Sequence, residues 1–323
     1  MHLGSFPQEL EAQLRRARRV LLIGHQNPDA DSLGSLTAFS HYADGFSGAI
    51  DMFYEPPFPP RLRFLPGVTR FQPVMNGPYD LAIVFDCGDL LHARLTRERL
   101  EELGAPLVVN IDHHQTNANF GDLNLVAPHA ASTTEILYHY FRALGVFITP
   151  ELATSILAGI LGDTGGFHYA NTSPAALAAA ADLVAHGASL PKLYDITLKD
   201  KNVAALQRWG HVLSRIAVSP AYGVATVVIS RSDLAGLADE RTAASGLANF
   251  LNGLAGVRAV LVLVEQDDLT IRGSLRSRDP LLDVSKFATL LGGGGHKLAA
   301  GFTVKGKFEE TAKGWRIIEV KNY

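Results

Sequence analysis

The chain of 323 residues is short of cysteine, of net charge and of long apolar runs, and each shortage removes a class of protein. Its single cysteine, Cys87, cannot close an intrachain disulfide, which suits a reducing compartment and gives the expectation of a cytoplasmic protein. No stretch reaches the roughly 18–20 apolar residues that span a bilayer, so no membrane partner is expected. The opening Met-His-Leu-Gly-Ser-Phe-Pro lacks the charged-then-apolar order of a secretory leader. Net charge is −3, and the one short basic cluster, Arg15, Arg16, Arg18 and Arg19, reads at helical spacing as a solvated face. Proteins that track along duplex DNA carry a broad basic stripe. With none here, a nucleic-acid substrate would be short, its phosphates handled by metals rather than by a basic surface.

What is present is 47% apolar and 19% charged residues, the profile of a compact soluble protein, in a chain long enough for two domains. A helix over about 7–18 leads into a strand at Val20–Ile23. Further strands are expected at Ala49–Tyr54, Asp80–Asp86 (DLAIVFD) and Pro106–Asp112 (PLVVNID). Amphipathic helices are expected from Ser132 to Leu144, from Glu151 to Leu161, and from a Ser173 cap to His186, closed by Gly187. This alternation predicts an α/β domain, a parallel sheet with helices on both faces, over 1–187. Helical segments in 188–215 read as a linker. The pattern from Tyr222 is strand 222–229, helix about 241–253, strands 257–265 and 269–276, and helix 283–291, a smaller α+β domain within 216–323. Lys305 to Tyr323 gives no clear closing helix.

The polar residues at the strand ends carry the functional argument. Val20–Ile23 stops at Gly24, and His25, Asp29 and Asp31 follow in a loop that Pro28 keeps from becoming helix. An imidazole and two carboxylates packed together suit a divalent ion such as Mn²⁺, Zn²⁺ or Fe²⁺. The alternative is a polar turn in which Asp31 or Ser32 caps the next helix. Asp86 ends the DLAIVFD strand, and Asp112, His113 and His114 end the PLVVNID strand. Gly162–Phe167 breaks a helix and adds Asp163. Open α/β sheets bind ligands outside the carboxyl ends of their strands, so His25, Asp29, Asp31, Asp86, His113 and Asp163 are expected to converge. Four carboxylates and two imidazoles are a donor set for two divalent ions sharing a bridging carboxylate, a pair able to activate water and clamp phosphoryl oxygens.

Farther on, the N–H groups of Gly292–Gly295 can form an anion nest, and His296 can donate to a phosphate or stack on a base. Arg276, Ser277 and Arg278 end a strand with guanidiniums suited to phosphate. A flexible glycine turn with solvated arginines is the alternative. Cys87 reads as a packed thiol, Asp89 as a turn residue, and Thr133 and Thr134 as helix caps. Asn117 either caps its loop or orients a ligand, and His168 lies just past the Asp163 loop.

In chain order, His25-x-x-x-Asp29-x-Asp31, Asp86-Cys-Gly-Asp89, Asp112-His113-His114 and Gly162-Asp163-Thr164-Gly165 resemble the four motifs of the DHH phosphoesterase family. Gly292–His296 followed by Ala299-Ala300-Gly301 resembles the DHHA1 signature. The resemblance spans nearly the whole chain and is closest to the NrnA-like group of bifunctional oligoribonucleases (nanoRNases) and pAp phosphatases. It implies a DHH catalytic domain followed by a DHHA1 substrate-binding domain, and two divalent ions, Mn²⁺ first. His25 and Asp29 would hold one ion, Asp31, His113 and Asp163 the other, with Asp86 bridging. His114 would stabilise charge on the phosphate or protonate the leaving oxygen, and Asp112 would orient a histidine. Arg276, Ser277, Gly293, Gly294, Gly295 and His296 would bind substrate. Short single-stranded oligonucleotides and pAp are the expected substrates, and a homodimer is compatible with the sequence. Family II inorganic pyrophosphatases share the first four motifs but not the glycine-histidine element, and RecJ-type exonucleases are longer. Hydrolysis of a linear dinucleotide such as pGpG stays open, and a non-catalytic nucleotide sensor is disfavoured by the complete ligand set.

Overall fold

Five short apolar runs become the strands of one sheet. The computed structural model describes residues 3–46, 48–54, 58–198, 203–234, 246–266, 269–311 and 314–318. The chain divides into two units, Met1–Asp200 and Lys201–Tyr323. The first contains α1 (Phe6–Arg16), β1 (Arg19–Ile23), α2 (Ala30–Ala43), β2 (Ala49–Phe53), β3 (Leu81–Phe85), α3 (Arg97–Glu102), β4 (Val108–Asp112) and β5 (Leu123–Val126). It continues with α4 (Thr133–Ala143), α5 (Pro150–Thr164), α6 (Pro174–Ala185) and α7 (Leu190–Leu198). The strand order is β2-β1-β3-β4-β5, every neighbouring pair parallel. β3 and β4 are buried along their whole length, which explains why β3 reads as an unbroken apolar run and β4 as one interrupted only by the buried Asn110 before Asp112. Alternate side chains feed two cores. Leu22, Ile83 and Ile111 pack with α1, α2, α4, α5 and α6 on one face. Leu21, Val84 and Val108 pack around Leu100 of α3 on the other. The direction of strand addition reverses beside β1, so the carboxyl ends of β1 and β3 open into the switch-point crevice.

Three local features differ from the sequence expectation. β5 is an added strand, short and with Leu125 as its one buried residue, so alternation barely marks it. The cap of α2 is Asp29, which accepts from the N–H groups of Asp31 and Ser32, rather than Asp31 or Ser32 itself. α5 does not stop at Leu161. It runs to Thr164 and closes on Gly165 in the left-handed region at φ +56°, which leaves Asp163 in the last helical turn.

The second unit contains α8 (Val203–Leu213), β6 (Ala217–Ser219), β7 (Val224–Ile229), α9 (Arg231–Leu234), α10 (Leu247–Leu251), β8 (Ala259–Glu265) and β9 (Thr270–Ser277). After these come α11 (Val284–Leu290), β10 (Gly294–His296), β11 (Ala299–Lys305), β12 (Lys307–Thr311) and β13 (Gly314–Ile318). Six strands form a mixed sheet in the order β10-β11-β9-β8-β7-β6, with β7 and β8 its parallel pair. The helix expected over about 241–253 is described as α10, and 235–245 lie outside the described residues. The glycine run is not a loose turn, since Gly294–His296 pairs antiparallel with Ala299–Gly301. A Cβ on Gly293 would fall 2.1 Å from Gly301 O, and one on Gly295 2.6 Å from Ala299 O, so packing against β11 demands glycine at both. After Lys305, β12 and β13 pair antiparallel, and 312–313 and 319–323 lie outside the described residues.

Candidate metal centre

The site is assembled from three strand ends and one helix end. His25 follows β1 through Gly24, and its Nδ1 lies 2.7 Å from Gln26 O. That carbonyl accepts a hydrogen bond from Nδ1–H, leaving Nε2 facing inward, 3.3 Å from Asp86 Oδ2 and 3.8 Å from Asp29 Oδ1. His113 follows β4 and is built the same way, with Nδ1 3.4 Å from Ala130 O. Its Nε2 lies 3.2 Å from Asp163 Oδ2, 3.6 Å from Asp86 Oδ1 and 4.0 Å from Asp31 Oδ2. Asp86 follows β3 at φ +58°, a left-handed conformation that short polar side chains tolerate best among non-glycine residues. It sends one carboxylate oxygen to each histidine. All six residues therefore come together as two triads, His25–Asp29–Asp86 and Asp31–His113–Asp163, each with ligand atoms within 4.8 Å of one another.

Two helix N-termini hold the carboxylates. Asp29 caps α2. Asp31, in the first turn of α2, crosses to α4 and accepts from Thr133 N at 2.6 Å, Thr134 N at 2.9 Å and Thr134 Oγ1 at 2.7 Å. The cap of α4 is Ser132, so Thr133 and Thr134 are its first helical residues rather than its caps. Glu135 reaches back to Ala131 N at 2.6 Å, close to a capping box, while the N–H groups of Thr133 and Thr134 go to Asp31. Thr133 Oγ1 also donates to Asp86 at 3.3 Å. This support is partial. Burial, then the charge of Asp86, pushes Asp31 up to about 7, and burial, then Asp31, pushes Asp163 up to about 6. Burial would lower His25 and His113, but their carboxylate partners outweigh it and raise both well above the usual value. Four mutually repelling carboxylates with two Nε2 atoms aimed among them fit a pair of divalent cations.

Beside the triads, His114 Nδ1 lies 2.7 Å from Asp112 Oδ1 and 3.8 Å from Asp86 Oδ1. Asp112 is fully buried, and burial alone would raise it, yet hydrogen bonds from His114 and Asn117 hold it well below the carboxylate range. Burial depresses His114 less than Asp112 raises it. Cys87 is packed, its Sγ toward Phe85 O and its thiol pushed up by burial. Asp89 caps the turn Leu90–Ala93 and holds the His92 ring at 2.8 Å, while His92 O accepts from Gln26 N at 2.7 Å. Asn171 escaped the sequence reading. Its Nδ2 braces Asp163 O at 3.1 Å and Ala131 O at 3.0 Å, a role with no motif to announce it.

In the second unit, Arg276 Nε donates to Asn249 Oδ1 at 2.6 Å, Nη1 donates to Leu275 O at 2.8 Å, and Arg278 is exposed. Ser277, expected to contact substrate, is tied into the end of β9. It is 2% exposed, donates to Arg258 O at 2.7 Å and accepts from Asp279 N at 3.0 Å, so its hydroxyl fastens the end of β9. His296 is half-buried in β10, and a Cβ on Gly294 would meet nothing within 4 Å.

Two His/Asp triads side by side at the strand ends of a parallel α/β sheet, with Asp86 of one also facing His113 of the other, suit metal-dependent phosphoester chemistry. The comparisons agree. The profile of the DHH family, N-terminal domain, matches residues 19–160, and that of the DHHA1 domain matches residues 222–314. The bifunctional oligoribonuclease and PAP phosphatase NrnA of Thermus thermophilus is 33% identical over 89% of this chain and 84% of its own. The Bacillus subtilis protein of the same name is 30% identical over 88% of this chain and 89% of its own. A solved exopolyphosphatase-related protein from Bacteroides fragilis superposes with a TM-score of 0.82 at 22% identity, covering 92% of this chain and 90% of that one, a likeness of fold. This chain belongs to the DHH phosphoesterase family, its DHH domain followed by a DHHA1 domain. It is accordingly a hydrolase of a family that uses divalent metals. Among the described residues no helix is long and apolar enough to cross a membrane.

Proposed function

We propose that this protein is a Mn²⁺-dependent, cytoplasmic hydrolase that degrades very short oligoribonucleotides to mononucleotides and removes the phosphate of pAp to leave AMP. The observation that carries this reading is Asp86, whose two oxygens divide between His25 and His113 at 3.3 and 3.6 Å. His25, Asp29 and Asp86 would hold one ion, and Asp31, His113 and Asp163 the other, with Asp86 common to both. When bound, such a pair lowers the pKa of water and neutralises phosphoryl oxygens. The protein's own groups do the rest. Asp112 holds the Nδ1 proton of His114, so the ring presents Nε2 to a phosphoryl oxygen or to the departing oxygen, where it donates a proton. Thr133 and Thr134 hold the Asp31 carboxylate aimed at the site through three hydrogen bonds. Arg276, Gly294 and His296 are assigned to the substrate's nucleotide, with Gly293, Gly295 and Ser277 shaping the strands that carry them. The domain reading is 1–187, 188–215 and 216–323.

Support for the substrate class comes from the names of the two similar NrnA proteins and from the lack of a basic stripe. The test is purified protein with Mn²⁺, labelled dimers to pentamers, longer oligomers, pAp, pGpG and pyrophosphate. Mononucleotide from the short oligomers and phosphate from pAp are expected. No product from either, or pyrophosphate as the one good substrate, overturns the proposal.

A further inference from the structure

The loop after the three-residue Asp112–His114 motif contains an asparagine whose side chain joins two of the strand ends. Asn117 Nδ2 lies 2.6 Å from Asp112 Oδ2, 3.0 Å from Cys87 O and 3.2 Å from Asn110 Oδ1. Asn117 Oδ1 accepts from Asn119 N at 2.8 Å and from Asn110 Nδ2 at 3.0 Å. A backbone N–H can only donate, whereas a carbonyl and an ionised carboxylate can only accept, so the amide has one orientation. The network continues into the sheet. Asn110, fully buried on β4, lies 3.0 Å from Asn124 Oδ1, and Asn124 holds both the N–H and the carbonyl of Gly121. Two further amides thus anchor Asn117 to backbone that is fixed by the β4–β5 pair.

This fixes how Asp112 spends its two oxygens. Oδ2 goes to Asn117, and Oδ1 is left to accept from His113 N at 2.8 Å and from His114 Nδ1 at 2.7 Å. The same NH₂ group grips the carbonyl of Cys87, the residue after the shared Asp86. Resting on the reading of His114 as the group beside the phosphate, we propose that Asn117 is a positioning residue for the reaction. It locks the rotation of the Asp112 carboxylate, so that the His114 ring is held in one plane with its Nδ1 proton on Asp112. A cap that merely shapes the loop would need the Asn117 Oδ1–Asn119 N bond and nothing else.

Asn117→Asp separates the two roles, because it keeps the acceptor for Asn119 N while replacing the donors by a charge that repels Asp112. The readout is a double-mutant cycle with His114→Ala, measured with Mn²⁺ on a ribodinucleotide and on a nucleoside 5′-nitrophenyl phosphate, whose leaving group needs no proton. Asn117→Asp is expected to lower kcat on the dinucleotide by about 10–100-fold, in the range of lost ligand-orienting partners, with KM nearly unchanged. The loss on the nitrophenyl ester should be much smaller, and within the His114→Ala background under about 2-fold, because the two residues act as one unit. Multiplicative losses, equal losses on both substrates, or full activity of Asn117→Asp overturn the proposal. A second readout does not depend on turnover. In imidazole ¹⁵N NMR of the full chain in EDTA, the hydrogen-bonded Nδ1 signal of His114, assigned with His114→Gln, should shift in Asn117→Asp and in Asn117→Ser. An unmoved signal contradicts the proposal even if the wild type cleaves no dinucleotide, an outcome that counts against the substrate assignment instead.

Discussion

At the scale of single residues, Asp86 is the group on which both triads depend. Removing its carboxylate in Asp86→Ala takes a member from the His25 triad and the oxygen that faces His113 of the other, so kcat should fall by at least about 10³-fold and bound Mn²⁺ should drop, with circular dichroism unchanged. Metal analysis of the dialysed variant beside its kinetics checks both. The shifted acids give a pH prediction whose sign can be worked out. Asp31 and Asp163 titrate near 7 and 6 in the fold against an ordinary 3.8, so the folded protein keeps protons that the unfolded chain releases. Their contribution to stability is therefore lost as pH rises from about 4 to about 7. The raised His25 and His113 act in the same sense, adding stability below their ordinary 6.5 that disappears as pH climbs through their folded values. In EDTA, urea midpoints should fall steadily from pH 5 to pH 8. In excess Mn²⁺ the trend should flatten or reverse, because the ions bind the deprotonated ligands. Midpoints that rise with pH in EDTA would contradict the electrostatic description.

At the scale of elements, the helices behind the sheet close up through glycine. A Cβ on Gly34 of α2 would sit 2.6 Å from Ser155 O of α5, and one on Gly159 of α5 would sit 2.3 Å from Thr134 Oγ1 and 2.6 Å from Asp31 Oδ1. Gly159→Ala should cost about 1–3 kcal/mol and weaken metal binding, since the added methyl pushes on Asp31 and on its partner together. Gly210→Ala in α8, where a Cβ meets nothing within 4 Å, should stabilise by about 0.5–1 kcal/mol. Thermal melts and Mn²⁺ titrations of the two variants test the contrast. These elements also show what the sequence discloses. Val20–Ile23, DLAIVFD and PLVVNID are legible because buried parallel strands are uniformly apolar, and their polar ends stand out by contrast. The route of Asp31 to the N-terminus of α4, the clasp of Asn171 on Asp163 and the Asn110–Asn117–Asn124 network are contacts between segments distant in the chain or folded back on it, and no local pattern encodes them. The glycine run was legible as a special backbone, and the close approach of β11 that requires glycine at 293 and 295 was not, because it depends on a strand pairing.

At the scale of the molecule, the two units have separate hydrophobic clusters, and every triad ligand lies in the first. Mn²⁺ should therefore raise the unfolding transition of the first unit and leave that of the second in place. At 100 times the dissociation constant the gain is about 2.7 kcal/mol per site. Calorimetry with and without Mn²⁺ should show one of two peaks moving, and a single peak that moves as a whole would mean that the units unfold together. Arg276→Ala in the second unit should raise KM for short oligomers while leaving Mn²⁺ stoichiometry intact. The central claim is that this fold presents one shared carboxylate to two ions, and anomalous diffraction from a crystal grown with Mn²⁺ tests it most directly. Two peaks about 3.5–4 Å apart are expected, one beside His25 and Asp29, the other beside Asp31, His113 and Asp163, with Asp86 between them. A single peak, or two that do not share Asp86, would contradict it.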